Sequence, residues 1–224
     1  MDGLYALKPW FADRLASLRR ALVARGVAPA VLTWGGVAFG AAAGGVIAAL
    51  PPGPLAAGAV GALLVARLAC ANLDGGVARE SGRSTRAGAV DNELGDRLAE
   101  FAVLAGCLAA YPAAPVLGAA LAATLPSWVS LAGAAAGAPR LQGGPSGKTE
   151  RCAQFVLLAL TGFTALVFPL MIAGSLATAV LRLVRVRRAL RALDSSGPAA
   201  GPEAAAGPEA DAEPAPAPAS GGAR

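Results

Sequence analysis

Charged residues are absent from three long stretches of this chain, Gly26 to Ala66, Phe101 to Pro139 and Cys152 to Leu181, and they crowd the segments between. One helical crossing of a bilayer takes about 20 apolar residues. The first two stretches each hold two crossings, and each has a breaker near its middle: Pro51-Pro52-Gly53-Pro54 in one, Tyr111-Pro112-Ala113-Ala114-Pro115 in the other. The third is shorter, with Pro169 near its centre, and by length alone one long helix would serve. Charge placement settles the count, because short cytoplasmic loops carry an excess of Lys and Arg. Lys8, Arg14, Arg19, Arg20 and Arg25 precede the first stretch; Arg79, Arg83 and Arg86 separate the second and third spans; Arg140, Lys148 and Arg151 follow the fourth. The two Pro-rich turns carry no charge. Arg182, Arg185, Arg187, Arg188 and Arg191 close the last stretch, and only two crossings after Arg151 return them to the same side. The pattern predicts an all-α, polytopic membrane protein with six transmembrane helices over residues 26–193, set in the cell (inner) membrane with both termini cytoplasmic.

Ahead of the first span, Leu4, Leu7, Phe11, Leu15, Leu18 and Leu22 recur at helical spacing, with Lys8, Arg14, Arg19 and Arg25 on other faces. This predicts a juxtamembrane amphipathic helix over residues 1–25, lying in the interface and drawn to anionic headgroups. No short apolar core at the front suggests a cleaved signal peptide. Residues 194–224 are rich in Ala, Pro, Gly, Ser and acids, and are expected to form a disordered tail.

Composition narrows the chemistry. The 224 residues are 55% hydrophobic and 15% charged, with mean hydropathy +0.56, against about 25% charged for soluble domains. With no histidine, His-ligated zinc, His-ligated haem and a Ser-His-Asp triad are excluded. Acid–base work therefore falls to carboxylates. Cys70, Cys107 and Cys152 are odd in number, far apart and set in apolar runs, so they read as small core residues. Membrane lipids are the expected partners, and no nucleic acid is.

One polar cluster remains inside the apolar pattern: Asn72-Leu73-Asp74-Gly75-Gly76-Val77-Ala78-Arg79, then Gly88-Ala89-Val90-Asp91-Asn92-Glu93-Leu94-Gly95-Asp96-Arg97. It falls at the inner ends of the second and third spans. Ionisable groups in a spanning helix cost about 2.5 to 3.5 kcal/mol each even on lenient scales, so a cluster reads as a functional site. For Glu93, Arg97 and Glu100 helix-end pairing, such as Glu93 with Arg97 at i,i+4, explains the charges equally well. For Asp74 it does not, because Gly75 and Gly76 follow and Ala78 occupies the next turn, leaving room for a bulky anion. Asn92 and Asp96 share a helix face directed towards Asp74. Oxygen donors with no nitrogen or sulfur suit Mg2+ or Mn2+. Arg67, two turns before Asp74, is expected to pair with a carboxylate or line the cavity.

The run Asp74-Gly75-x2-Ala78-Arg79-x8-Gly88, with Asp96 eight residues later, resembles the signature of the CDP-alcohol phosphatidyltransferases, DGx2ARx8Gx3Dx3D. Gly144-Pro145-Ser146-Gly147-Lys148-Thr149-Glu150-Arg151 is similar to a GPxGKxxR stretch of one bacterial branch. The resemblance implies transfer of a phosphatidyl group from a CDP-linked lipid, CDP-diacylglycerol, to an alcohol with release of CMP, in a homodimer that uses Mg2+ or Mn2+. It gives Asp74 a metal, makes Asp96 the catalytic base and a metal contact, and leaves Asn92 a weakened ligand. Gly75, Ala78 and Gly88 would make room for the nucleotide, Arg79 and Thr85 would contact substrate, and Lys148 and Arg151 would hold an acceptor phosphate. Topology determination is an equal explanation for Lys148 and Arg151, and simple anchoring is favoured for Arg83 and Arg86. Two carboxylates of the family pattern are missing, at Ala71 and Asn92; Asn72 and Asp91 sit one residue away, and Asp91 is a substitute metal ligand. The alternatives are a family member that binds CDP-lipid without turnover, and a small membrane transporter.

Overall fold

The computed structural model describes residues 8–195, and among these every regular element is helical. The helices are α1 Lys8–Arg14, α2 Ala16–Ala24, α3 Pro29–Ala49, α4 Pro54–Glu80, α5 Arg86–Ala110, α6 Ala113–Ala135, α7 Lys148–Thr161 and α8 Thr164–Ser195. The breakers fall where the chain needs them. Proline occupies the first turn of α3 and α4, where its missing N–H costs no hydrogen bond, and Pro112 precedes α6. The last hairpin turns at Gly162, not at Pro169, which lies inside α8. Gly162 is left-handed at φ 65°, and a Cβ there would stand 2.8 Å from Pro52 of the neighbouring turn.

Helices α3, α4, α6 and α8 are long and apolar enough to cross a membrane. By contrast, α5 carries charges through its first half and α7 has only 14 residues. The N-terminal segment forms two short helices broken at Leu15 in place of one. Leu4 and Leu7 lie outside the described residues, as does the expected tail apart from Asp194 and Ser195, which extend α8.

Packing is set by small residues. Helix α3 runs antiparallel to α4 and parallel to α5, and α5 approaches so closely that a Cβ on Gly106 would collide with the Gly44 backbone and one on Gly40 with that of Ala99. Such contacts gain dispersion energy along whole helix faces, the main source of association where lipid is as apolar as the side chains. Helices α6 and α8 pair in the same parallel sense, with Gly118 against Ile172 and Gly133 against Val186. The centre is filled by Val60, Leu64, Val103, Leu158, Phe168 and Met171, all essentially inaccessible. Outward, Leu55, Leu121, Trp128 and Val180 are exposed.

Candidate functional site

The charged end of the bundle is built where α4 finishes and α5 and α7 begin. Asp74 is 4% exposed and accepts three hydrogen bonds: from the Gly75 N–H at 2.6 Å on Oδ1, and from the Thr33 hydroxyl at 3.1 Å and the Asn92 amide Nδ2 at 2.7 Å on Oδ2. Asn92 and Asp96 lie one turn apart on α5, so the face that brings Asn92 to Asp74 also brings Asp96 towards it. Asp74, Asn92 and Asp96 line one small cavity with Thr33, Arg67 and Ala71. Two carboxylates from neighbouring helices, with the Asn92 amide, thus border one cavity.

Ala71 and Asp96 also line a second, larger cavity of about 290 Å³. Its walls come from α1, α4, α5, α6, the segment between α6 and α7, α7 and α8, and include Trp10 and Phe11 as well as Lys148, Arg151, Arg140 and Arg182. Lys148 Nζ sits 2.5 Å from Asp96 Oδ2. The connecting segment is held by backbone contacts that only a few residues permit. Gly144 has φ 136° and abuts Thr178, whose hydroxyl accepts from the Ser146 N–H at 2.9 Å. Arg182 donates to the carbonyls of Gly143 at 3.0 Å and Pro126 at 2.9 Å, and to the Ser130 hydroxyl at 3.2 Å.

A chain of alternating charges forms part of this cavity's lining. Arg140 pairs with Glu93, whose other oxygen is 3.8 Å from Arg97; Arg97 donates to Glu100 at 2.8 Å, and Glu100 also takes Arg151 through both carboxylate oxygens. Arg151 further donates to the Ser146 carbonyl at 2.9 Å. Glu100 and Arg151 are 4% and 3% exposed, a depth at which charges persist only when paired and hydrogen-bonded. The i,i+4 pairing of Glu93 with Arg97 thus exists, within a longer ladder.

Other expected site residues are placed differently. Arg79 is exposed and folds back over Gly75, its Nη1 lying 3.2 Å from where a Gly75 Cβ would be. Ala78 is half-buried on the same helix. The Thr85 hydroxyl caps α5 by accepting from the Gly88 N–H at 2.9 Å, and both residues are exposed. Asp91 is exposed, and none of Arg79, Thr85, Gly88 and Asp91 lines either cavity. Arg67, 3% exposed, lines the small cavity, and its partners are the Asp96 main-chain carbonyl at 3.1 Å and Cys152 Sγ at 3.4 Å, not a carboxylate. Thr33 carried no sequence signal, being one hydroxyl in an apolar run that meets Asp74 only across the bundle.

Among the described residues no three Asp, Glu, His or Cys side chains gather into a metal-holding group. A hard cation here would draw on Asp74, Asp96 and the carbonyl oxygen of Asn92. No family model matches the sequence, and no curated protein does. Among solved structures, the chain is similar to the Mycobacterium tuberculosis phosphatidylinositol phosphate synthase in complex with manganese and citrate, at 24% identity and TM-score 0.60 over 76% of this chain and 88% of that one. It is also similar to the same synthase with CDP-DAG bound, at 23% identity and TM-score 0.50 over 78% and 90%. The chain has the fold of this synthase, itself a CDP-alcohol phosphatidyltransferase.

Proposed function

We propose that this protein transfers a phosphatidyl group from a CDP-linked lipid to an alcohol and releases CMP. The observation that carries the reading is the meeting of Asp74, Asn92 and Asp96 around one cavity that adjoins a larger one with five cationic side chains. The solved relatives with manganese and with CDP-DAG support it.

In this reading the diphosphate lies against the face of α4 at Gly75, and Arg79, folded over that glycine, swings to meet it. A divalent cation, Mg2+ or Mn2+, would be held by Asp74, Asn92 and Asp96 and would supply positive charge to the diphosphate as CMP departs. Asp96, ion-paired with Lys148, takes the proton of the acceptor hydroxyl. The hydroxyl oxygen forms a bond to the phosphatidyl phosphorus, and the bond from that phosphorus to CMP breaks. Arg182, which donates to the neutral oxygens of Gly143, Pro126 and Ser130, and Lys148 line the large cavity and suit an acceptor that carries a phosphate of its own. The six helices α3–α8 span the cell membrane, α1 and α2 lie in the interface, and the site faces the cytoplasm in a homodimer.

The test is release of CMP by the purified full chain in lipid nanodiscs, given CDP-diacylglycerol, Mg2+ or Mn2+, and glycerol phosphate, inositol phosphate, inositol or serine. Release is expected with a phosphorylated acceptor, and Asp74→Asn should lower it by about a hundredfold. No release with any alcohol rejects the proposal. One observation favours a second reading, binding without turnover: Asn92 spends its amide on Asp74, which already takes two other hydrogen bonds. That reading is supported if CDP-lipid binds but Ala71→Asp with Asn92→Asp fails to bring activity.

A further inference from the structure

The segment between α6 and α7 hands the chain to α7, which begins at Lys148, the residue whose ammonium meets Asp96. A lysine is a flexible four-carbon stem, so its ammonium stays on one carboxylate only if the backbone beneath it is held. One face of α8 holds that backbone. Gly174, Thr178 and Arg182 follow one another at four-residue steps, and each meets a different point of the segment. Arg182 donates to the Gly143 carbonyl at 3.0 Å, and at Gly174 a Cβ would stand 2.7 Å from that of Ser146.

Thr178 holds the segment at two points with one side chain. Its hydroxyl donates to the Gly174 carbonyl at 2.8 Å, one turn back, which spends its single proton. The oxygen is left as an acceptor and takes the Ser146 N–H at 2.9 Å. Its methyl closes on Gly144, at φ 136°, and leaves no room there for a Cβ. Thr178 and Ser146 are essentially inaccessible, so no water stands ready to replace a lost hydroxyl. On its other side Ser146 gives its carbonyl to Arg151 at 2.9 Å, and the Gly147 N–H donates to Glu150 at 3.0 Å. The peptide units leading into Lys148 are thus fixed from α8 and from α7 together. Thr178 itself lines neither cavity.

We propose that Thr178 is a positioning residue, which fixes the turn from Gly144 to Ser146 and so delivers Lys148 to Asp96. The catalytic consequence rests on the transfer reading, in which Lys148 suits an acceptor phosphate and Asp96 takes the acceptor's proton. The placement itself is measured without turnover.

The experiment treats the purified full chain, in phosphatidylcholine nanodiscs with EDTA, with a carbodiimide that joins an amine to a touching carboxylate. Lys148 and Asp96 are both partly exposed, and Lys8 is the only other lysine of the chain. Mass spectrometry of the digest reads the yield of the Lys148–Asp96 link. Thr178→Val keeps the volume and loses the hydroxyl, and should lower the yield about fivefold, the worth of one hydrogen bond. Thr178→Ser should keep it, and so should Gly118→Ala, which strains α8 against α6 at Ile172 and leaves the turn alone. If Thr178→Val does not fold, Gly174→Ala carries the same question, because its methyl presses on Ser146 and should lower the yield likewise. In turnover, Thr178→Val should raise KM for a phosphorylated acceptor about fivefold and leave KM for the CDP-lipid unchanged. An unchanged link in Thr178→Val or Gly174→Ala, or an equal loss in Thr178→Ser or Gly118→Ala, would overturn the inference. A link that depends on Thr178 in a chain that releases no CMP keeps the placement and rejects the transfer reading. CMP release with a link indifferent to Thr178 keeps the transfer reading and rejects the placement.

Discussion

Helices α3 and α5 run side by side through both ends of the bundle, yet α5 is held in place by opposite means at each. At the apolar end the contact is backbone on backbone: Gly44 meets Gly106 and Ala102 with no room for another carbon. At the charged end α5 brings Asn92, Asp96, Arg97 and Glu100 into the interior, and each is hydrogen-bonded to a partner on another helix or on its own. Steric fit tolerates no added volume, and paired burial tolerates no lost partner. The same helix therefore fails in different ways at its two ends.

The largest effect is expected where burial and charge coincide. Glu100→Ala leaves Arg151 and Arg97 without their shared carboxylate and should destabilise the protein by about 3 to 5 kcal/mol, read as a drop in the thermal unfolding midpoint in detergent. Next comes the steric end: Gly106→Leu must push α3 off α5, at about 3 kcal/mol in the same measurement. An equal loss from Gly106→Ala and Gly106→Leu would mean that any Cβ is excluded, whereas a graded loss would show that the interface yields. The smallest effect marks the rim of the charged end. Arg19, on α2, pairs with Glu80 at 2.7 Å, both partly exposed, and Arg19→Ala should cost less than about 1 kcal/mol. A larger loss would show that docking of α2 over Gly76 matters more than the ion pair.

Much of the architecture was legible in the sequence because lipid enforces it. Charge-free runs and their Pro-rich interruptions map onto the ends of α3, α4, α5 and α6. The turn between α7 and α8 was less legible: Pro169 is the stronger breaker in isolation, but Gly162 alone supplies the left-handed residue that lets the chain pass Pro52. The break at Leu15 was also hidden, since the apolar spacing continues across it. Asp74, Asn92 and Asp96 were found because their spacing places them on helix faces. The exposed positions of Asp91 and Thr85 were not, because one step along a helix turns a side chain by about 100° and only the packed bundle says which way is in.

What the chain alone determined is local and periodic: which segments are helical, which face of α5 carries the polar set, and that carboxylates and amides must do any chemistry. The tertiary structure decided the pairings. Thr33 on Asp74, Arg151 on Glu100, Lys148 on Asp96 and Arg67 on the Asp96 main-chain carbonyl join residues from about 30 to over 50 positions apart. No periodicity encodes such separations, because they follow from how three hairpins stack and which small residues let them approach.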